Sequence, residues 1–237
     1  MTLLGSASVL HRSIECPASQ HLPQERVVEP HVQEAADRGT CIHGALEKGS
    51  AEGADTRWKE ECEKVLKWNY VGAIGARCMR ELSLVHNGES GKCRLTTKED
   101  RDYGELLPTD TPGTADVIIQ GYRMAEVWDY KTGRTRVAPP GENPQLLHLA
   151  LCASRIVAQN ATHFIVGIQT IQKTQIKTEA ALVDLFTLEA HEERLRKAQE
   201  LAREVIKAIE AGEQPQVRTG PWCRYCDAKP ACPVQGG

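Results

Sequence analysis

The chain has no basic lead followed by an apolar run, and no apolar run long enough to cross a bilayer. Neither a secretory signal nor a membrane span is therefore expected, and the expected location is the cytoplasm. Internal repeats and low-complexity tracts are also missing, which sets aside solenoids, propellers and disordered arrays. Nor is there a surplus of positive charge, since 29 Lys and Arg stand against 32 Asp and Glu, for a formal net charge of -3. A broad basic surface that grips phosphates by itself is thereby excluded. An acidic chain can still act on a phosphate where its carboxylates hold metal ions that supply the positive charge.

With 237 residues there is room for one substantial core but not comfortably for two, so a single domain over 1–237 is expected. Helical spacing of apolar residues marks Val32 to Glu47, Thr56 to Met79, Asn143 to Val157 and Glu189 to Glu210. Asn143-Pro144 is a capping pair and Gly212 a stop signal. Strands are expected at Glu81 to His86, Gly113 to Gln120, Met124 to Lys131 and Thr162 to Thr170, the middle two joined as a hairpin through Gly121-Tyr122. This order predicts an α/β fold, a mixed central sheet flanked by helices.

The strongest chemical signal lies in that hairpin. Gly113-Thr114-Ala115-Asp116 on one strand is followed by Asp129-Tyr130-Lys131 on the next. Side chains alternate along a strand, so Asp129 and Lys131 share a face and Asp116 can meet them from its neighbour. Hard cations such as Mg²⁺ select carboxylate oxygens, and a lysine beside the ion can orient an attacking water. A lone Asp-x-Lys is more often a solvated pair, and it is the combination with Asp116 that points to chemistry.

These strands resemble the second and third motifs of the PD-(D/E)XK nucleases, and other segments extend the likeness. Arg38-Gly39-Thr40-Cys41-Ile42-His43 looks like the Gly-x-x-x-His helix of RecB-type members, in which the histidine ligates metal. Asn143-Pro144-Gln145 resembles the helix that opens on a glutamine, although Leu149 stands where a tyrosine is usual. His148, on the same helical face as Gln145, is a candidate to take over a polar contact. The resemblance implies Asp116, Asp129, Lys131 and Gln145 as catalytic residues. It implies His43, Asp116 and Asp129 as ligands of Mg²⁺ or Mn²⁺, and DNA as the substrate.

Nine cysteines in a chain of this kind suit metal or cluster ligation better than disulfides. Cys223, Cys226 and Cys232, spaced Cys-x2-Cys-x5-Cys in a Pro-rich tail, form a ligand loop that needs a fourth member. The Ser6-Ala7-Ser8 segment leading to Cys16-Pro17 resembles the N-terminus of iron–sulfur RecB-family nucleases, among them AddB and nucleases of CRISPR adaptation and phages. That likeness implies Cys16 as the fourth ligand of a [4Fe–4S] cluster, with residues 1–30 and 214–237 forming one cluster element. Cys41 is the competing fourth ligand and zinc the competing metal, since spacing does not separate them. Cys62, Cys78, Cys93 and Cys152 are expected to be ordinary buried thiols.

The expected function is a metal-dependent DNA exonuclease of repair, recombination or phage DNA processing, with repair or recombination proteins as possible partners and oligomerisation open. The alternatives are a catalytically silent nucleic-acid-binding subunit of the same fold, and a zinc-ribbon protein with an unrelated core.

Overall fold

The computed structural model describes residues 2–25, 30–67, 76–96, 102–133, 137–172 and 175–234. Two one-turn helices, α1 (Leu10–Ser13) and α2 (Ala18–His21), precede the longer α3 (Pro30–Lys48) and α4 (Lys59–Lys67). The strands β1 (Arg77–Asn87), β2 (Cys93–Leu95), β3 (Asp110–Gln120) and β4 (Met124–Lys131) follow, then α5 (Pro144–Ile156), β5 (His163–Ile171), β6 (Ile176–Asp184) and α6 (Leu185–Glu210). They build a six-stranded sheet in the order β2-β1-β3-β4-β5-β6. Only β4 and β5 pair in parallel, and every other recorded pairing is antiparallel. A parallel pair needs a crossover, and α5 supplies it.

Helix α5 starts where the sequence places its cap: Asn143 Oδ1 accepts from the N–H groups of Gln145 at 3.0 Å and Leu146 at 3.4 Å, and Pro144 takes the first helical position. Its Leu146, Leu149, Ala150 and Ala153 are fully buried against Ile118, Val127, Phe164 and Val166, which makes one face of the sheet the main core. The other face packs Val117, Ile119, Trp128 and Tyr130 beneath Ile42, Ala45, Cys62 and Val65 of α3 and α4. Trp128 lies flat across Gly167 of the adjacent strand, where an added Cβ would come within 2.2 Å of the ring.

The two chain ends meet on α6. Leu3, Leu4, Ala7, Leu10 and Ile14 pack against Leu195, Ala198 and Ala202, and Cys16 and Ala18 pack against Val205 with Val217 and Trp222 beside them. Helix α6 ends at Gly212, whose φ of +71° is costly for any residue with a Cβ.

Several boundaries differ from the sequence expectation. The second helix was expected to reach Met79, but α4 ends at Lys67 and β1 begins at Arg77, paired to Gln120; residues 68–75 of that expected helix lie outside the described residues. Pairing with β3 overrides a helix-favouring composition there. Strands β2 and β6 were not anticipated, the first because it has three residues, the second because it is a sheet edge whose Lys177, Thr178, Glu179 and Ala180 are exposed and so lack an apolar alternation. Cys78 and Cys93 correct the expectation of buried thiols, the former being exposed and the latter half-buried, while Cys62 and Cys152 are buried as expected. Among the described residues no helix is long and apolar enough to cross a membrane.

Three histidines are buried between β1, α5 and α6. His86 Nε2 lies 3.0 Å from Glu192 Oε1, and His148 Nε2 meets the Thr111 carbonyl at 3.1 Å. Burial holds His148 well below the usual histidine value and His191 at about 3. Such groups stay neutral in the fold but take up protons when unfolded, so stability is full above about pH 6.5 and is lost as pH falls toward the folded values. Denaturant titrations from pH 7 to pH 4.5 should show a falling unfolding free energy, by up to about 1.4 kcal/mol per pH unit per histidine. His191→Leu should flatten that slope, and an unchanged slope would contradict the assignment.

Candidate active site

The site lies where β1 and β3 lose their regular alternation and β3 parts from β4. Arg80 pairs with Val117 and Leu82 with Ala115, which sets Glu81 opposite Asp116. In a regular strand Ala115 and Val117 would share a face. Here Ala115 packs in the α5-side core and Val117 in the α3-side core, while Met79 and Leu82 both pack on the α5 side. Each strand thus changes face at its acid. Glu81 achieves this with φ +45°, the one positive value among the described non-glycine residues. A side chain in that region costs on the order of 1–3 kcal/mol, and here the cost turns a carboxylate toward its neighbour's.

Helix α3 brings the third member. The Arg38 guanidinium donates to Glu61 of α4, to the Thr132 carbonyl after β4 and, at 3.1 Å, to the Ile171 carbonyl of β5. Gly39 lies so near that a Cβ would come within 2.8 Å of Thr132 Oγ1, so the absence of a side chain sets how closely the helix approaches. One turn later His43 points Nε2 at the Tyr130 carbonyl, 3.2 Å away. Nδ1 then faces Asp116 Oδ1 at 3.4 Å and Glu81 Oε1 at 3.7 Å.

Those three ligand atoms lie within 4.8 Å of one another, the one such group among the described residues. Nδ1 is buried without a well-formed hydrogen bond, although two carboxylates face it. An ion bonded at about 2.0–2.3 Å to each would fit between them. With Nε2 donating to a backbone carbonyl, the ring is held with its Nδ1 lone pair directed at that position. Burial alone would lower the histidine, but the Asp116 and Glu81 carboxylates outweigh it and raise His43 to about 10.

Asp116 Oδ2 accepts from the Tyr130 N–H at 2.6 Å, which fixes the carboxylate at the point where β3 and β4 diverge. Beside it, Asp129, Lys131 and Gln145 close a ring of contacts. Lys131 Nζ lies 2.8 Å from Asp129 Oδ2 and donates to Gln145 Oε1 at 3.0 Å, while Gln145 Nε2 donates to Asp129 Oδ1 at 2.8 Å. Burial, and next to it the Asp116 charge, raise Asp129 to about 6 against the pull of Lys131. All six residues line one cleft of about 990 Å³, whose wall also includes Ser6, Ala7 and Ser8.

A sequence model of the PD-(D/E)XK nuclease superfamily matches residues 5–233. The chain belongs to that superfamily. Among curated proteins none matches. A solved structure described as the crystal structure of SSO0001 is similar at 18% identity over 82% of this chain and 85% of its own, with a TM-score of 0.38.

Superfamily membership supports a metal-dependent nuclease, and the structure refines which residues gather. His43, Asp116, Asp129, Lys131 and Gln145 come together, but Glu81, not Asp129, completes the compact ligand triad. Glu81 was read only as the start of a strand, and nothing in a period-two pattern signals a residue that breaks the pattern. Gln145 is not a helix cap, which is the work of Asn143. His148 does not reach the cleft: it is fully buried beside His86, with ring centroids 5.8 Å apart, so the polar contact expected of it is not made. Leu149 is fully buried too, 3.1 Å from where a Cβ on Gly113 would stand.

The terminal cysteines gather at a second place. Cys16, Cys223, Cys226 and Cys232 line one small cavity, away from Cys41, whose sulfur lies 3.9 Å from that of Cys62. The N–H of Arg218 is 3.5 Å from Cys16 Sγ, across 202 residues of sequence, and that of Gly220 is 3.4 Å from Cys223 Sγ. Amide groups aimed at sulfur suit thiolate ligands.

Glu81→Gln should weaken Mn²⁺ binding in calorimetric titration by at least roughly tenfold. Unchanged affinity would remove Glu81 from the site.

Proposed function

We propose that this chain is a Mg²⁺- or Mn²⁺-dependent deoxyribonuclease, an exonuclease of the RecB-like iron–sulfur kind that works in DNA repair, recombination or phage DNA processing. The observation that supports it best is the convergence of His43, Glu81 and Asp116 beside the Asp129–Lys131–Gln145 ring in one open cleft. The chain acts as a single nuclease domain, with residues 1–30 and 214–237 as its cluster element.

His43, Glu81 and Asp116 hold the divalent ion, and Asp129 contributes from the neighbouring strand. A divalent ion held by these residues would supply positive charge against the scissile phosphate and lower the pKa of a bound water. Lys131, an ammonium held by Asp129 and Gln145, would orient an attacking water from its side of the cleft. Gln145 sets the lysine by accepting from Nζ while donating to Asp129, so it is a positioning residue. Burial and the Asp116 charge raise Asp129 to about 6, so a cation beside it would favour its ionised form.

Cys16, Cys223, Cys226 and Cys232 hold a [4Fe–4S] cluster. Its role is to tie the two chain ends together.

Mg²⁺- or Mn²⁺-dependent degradation of end-labelled DNA should fall by roughly 10²–10⁴-fold in Lys131→Ala and vanish on chelation. Undiminished cleavage by that variant would overturn the assignment. Protein purified without oxygen should be brown and hold iron and sulfide, and Cys226→Ser should lose both; colourless protein with stoichiometric zinc would refute the cluster.

A further inference from the structure

Two aromatic rings line the cleft, Tyr103 and Tyr130. Tyr130 is only 7% exposed and packs in the α3-side core, so its ring is not available to a ligand. Tyr103, in the segment leading to β3, is half-buried and keeps part of its ring on the cleft. Its hydroxyl is anchored at the far end: the oxygen lies 2.9 Å from Thr114 Oγ1, which lies 3.0 Å from Ser83 Oγ. A hydroxyl of β3, itself held by its cross-strand partner on β1, thus anchors the phenol oxygen.

That position has a defined relation to the metal triad. Thr114 precedes Asp116 by two residues on β3 and, like it, lines the cleft, which places it about 7 Å along the strand. The α3 wall of the same cleft includes the small residues Ala35, Ala36, Gly39 and Gly44 beside Thr40, His43 and Glu47. The chain carries few aromatics, 5% of its residues, so an anchored ring in the cleft is not a consequence of abundance.

We propose that Tyr103 is the platform on which the base of the nucleotide next to the scissile phosphate stacks. The proposal rests on the nuclease reading and adds to it the group that grips the substrate's base. Stacking on a π-face tolerates any base and needs no hydrogen-bond readout, so the platform serves a nuclease without sequence preference. It contributes to holding the strand and not to the phosphorus chemistry, which falls to residues on β1, β3, β4 and α3.

The test uses the whole protein with Mn²⁺ and a series of single-stranded oligonucleotides, each with one abasic site at a successive position from the cleaved bond. Tyr103→Ala should raise KM roughly five- to 150-fold, the span that base–aromatic stacking gives on removal, with kcat and Mn²⁺ affinity retained. Tyr103→Trp and Tyr103→Phe should hold KM near its original value. The unaltered protein should bind less well when the abasic site falls at one position beside the scissile phosphate, and Tyr103→Ala should be indifferent there. An unchanged KM in Tyr103→Ala, a loss in Tyr103→Phe as large as in Tyr103→Ala, or an abasic series without a sensitive position would each overturn the platform while leaving the nuclease intact. Failure of the unaltered protein to bind or cleave any DNA would overturn both.

Discussion

Three carboxylates, Glu81, Asp116 and Asp129, are held in one cleft against the charges of one histidine and one lysine. Bringing like charges together out of water is among the costliest arrangements a fold can make. Two responses are visible in the structure. His43 is raised to about 10 and so carries a proton between two of the acids, and Asp129 is raised to about 6, near the point of accepting one. Both mark a deficit of positive charge. A dication held by His43, Glu81 and Asp116 would compete with the proton that His43 holds there.

The rest of the fold can be understood as the means of holding that deficit in place. The β1–β3 pair keeps its register on both sides of the two acids while each strand changes face, which concentrates the irregularity at a single rung. Arg38 fastens α3 to the ends of β4 and β5, so the imidazole approaches from a helix that cannot slide. Gln145 stands on the first turn of a helix whose Leu146, Leu149 and Ala150 are fully buried, and the ring it closes with Asp129 and Lys131 inherits that rigidity. The acids are displayed on rigid elements with their partners already oriented, as preorganised electrostatics requires.

Much of this was legible in the residues and some was not, for definite reasons. Asp116, Asp129 and Lys131 could be found because strand alternation is a local rule, and His43 because its helix carries a spaced glycine that the structure shows pressed against Thr132. Gln145 was found as a match to a motif, but its double hydrogen bond depends on a crossover that a linear pattern does not display. Glu81 escaped because its usefulness lies in a departure from alternation, paid for in backbone strain. Strand β6 escaped because an edge strand needs only one buried neighbour and can remain polar along most of its length.

The two ends of the chain connect the cysteine cavity to the cleft. Between Cys16 and the cleft wall at Ser6, Ala7 and Ser8 there are only a few residues, most of them turned into α1 or packed on α6. Ala7 stands so close to Gly113 that a Cβ there would come within 2.6 Å of it, and Gly113 lies three residues from Asp116. The segment is held at one end by the Leu3 N–H on the Pro108 carbonyl and reaches, at the other, the small cavity that Cys16 lines. The segment from Leu3 to Cys16 thus joins the cysteine-lined cavity to one wall of the cleft, apart from the strands and helix that carry Glu81, Asp116, Asp129 and His43.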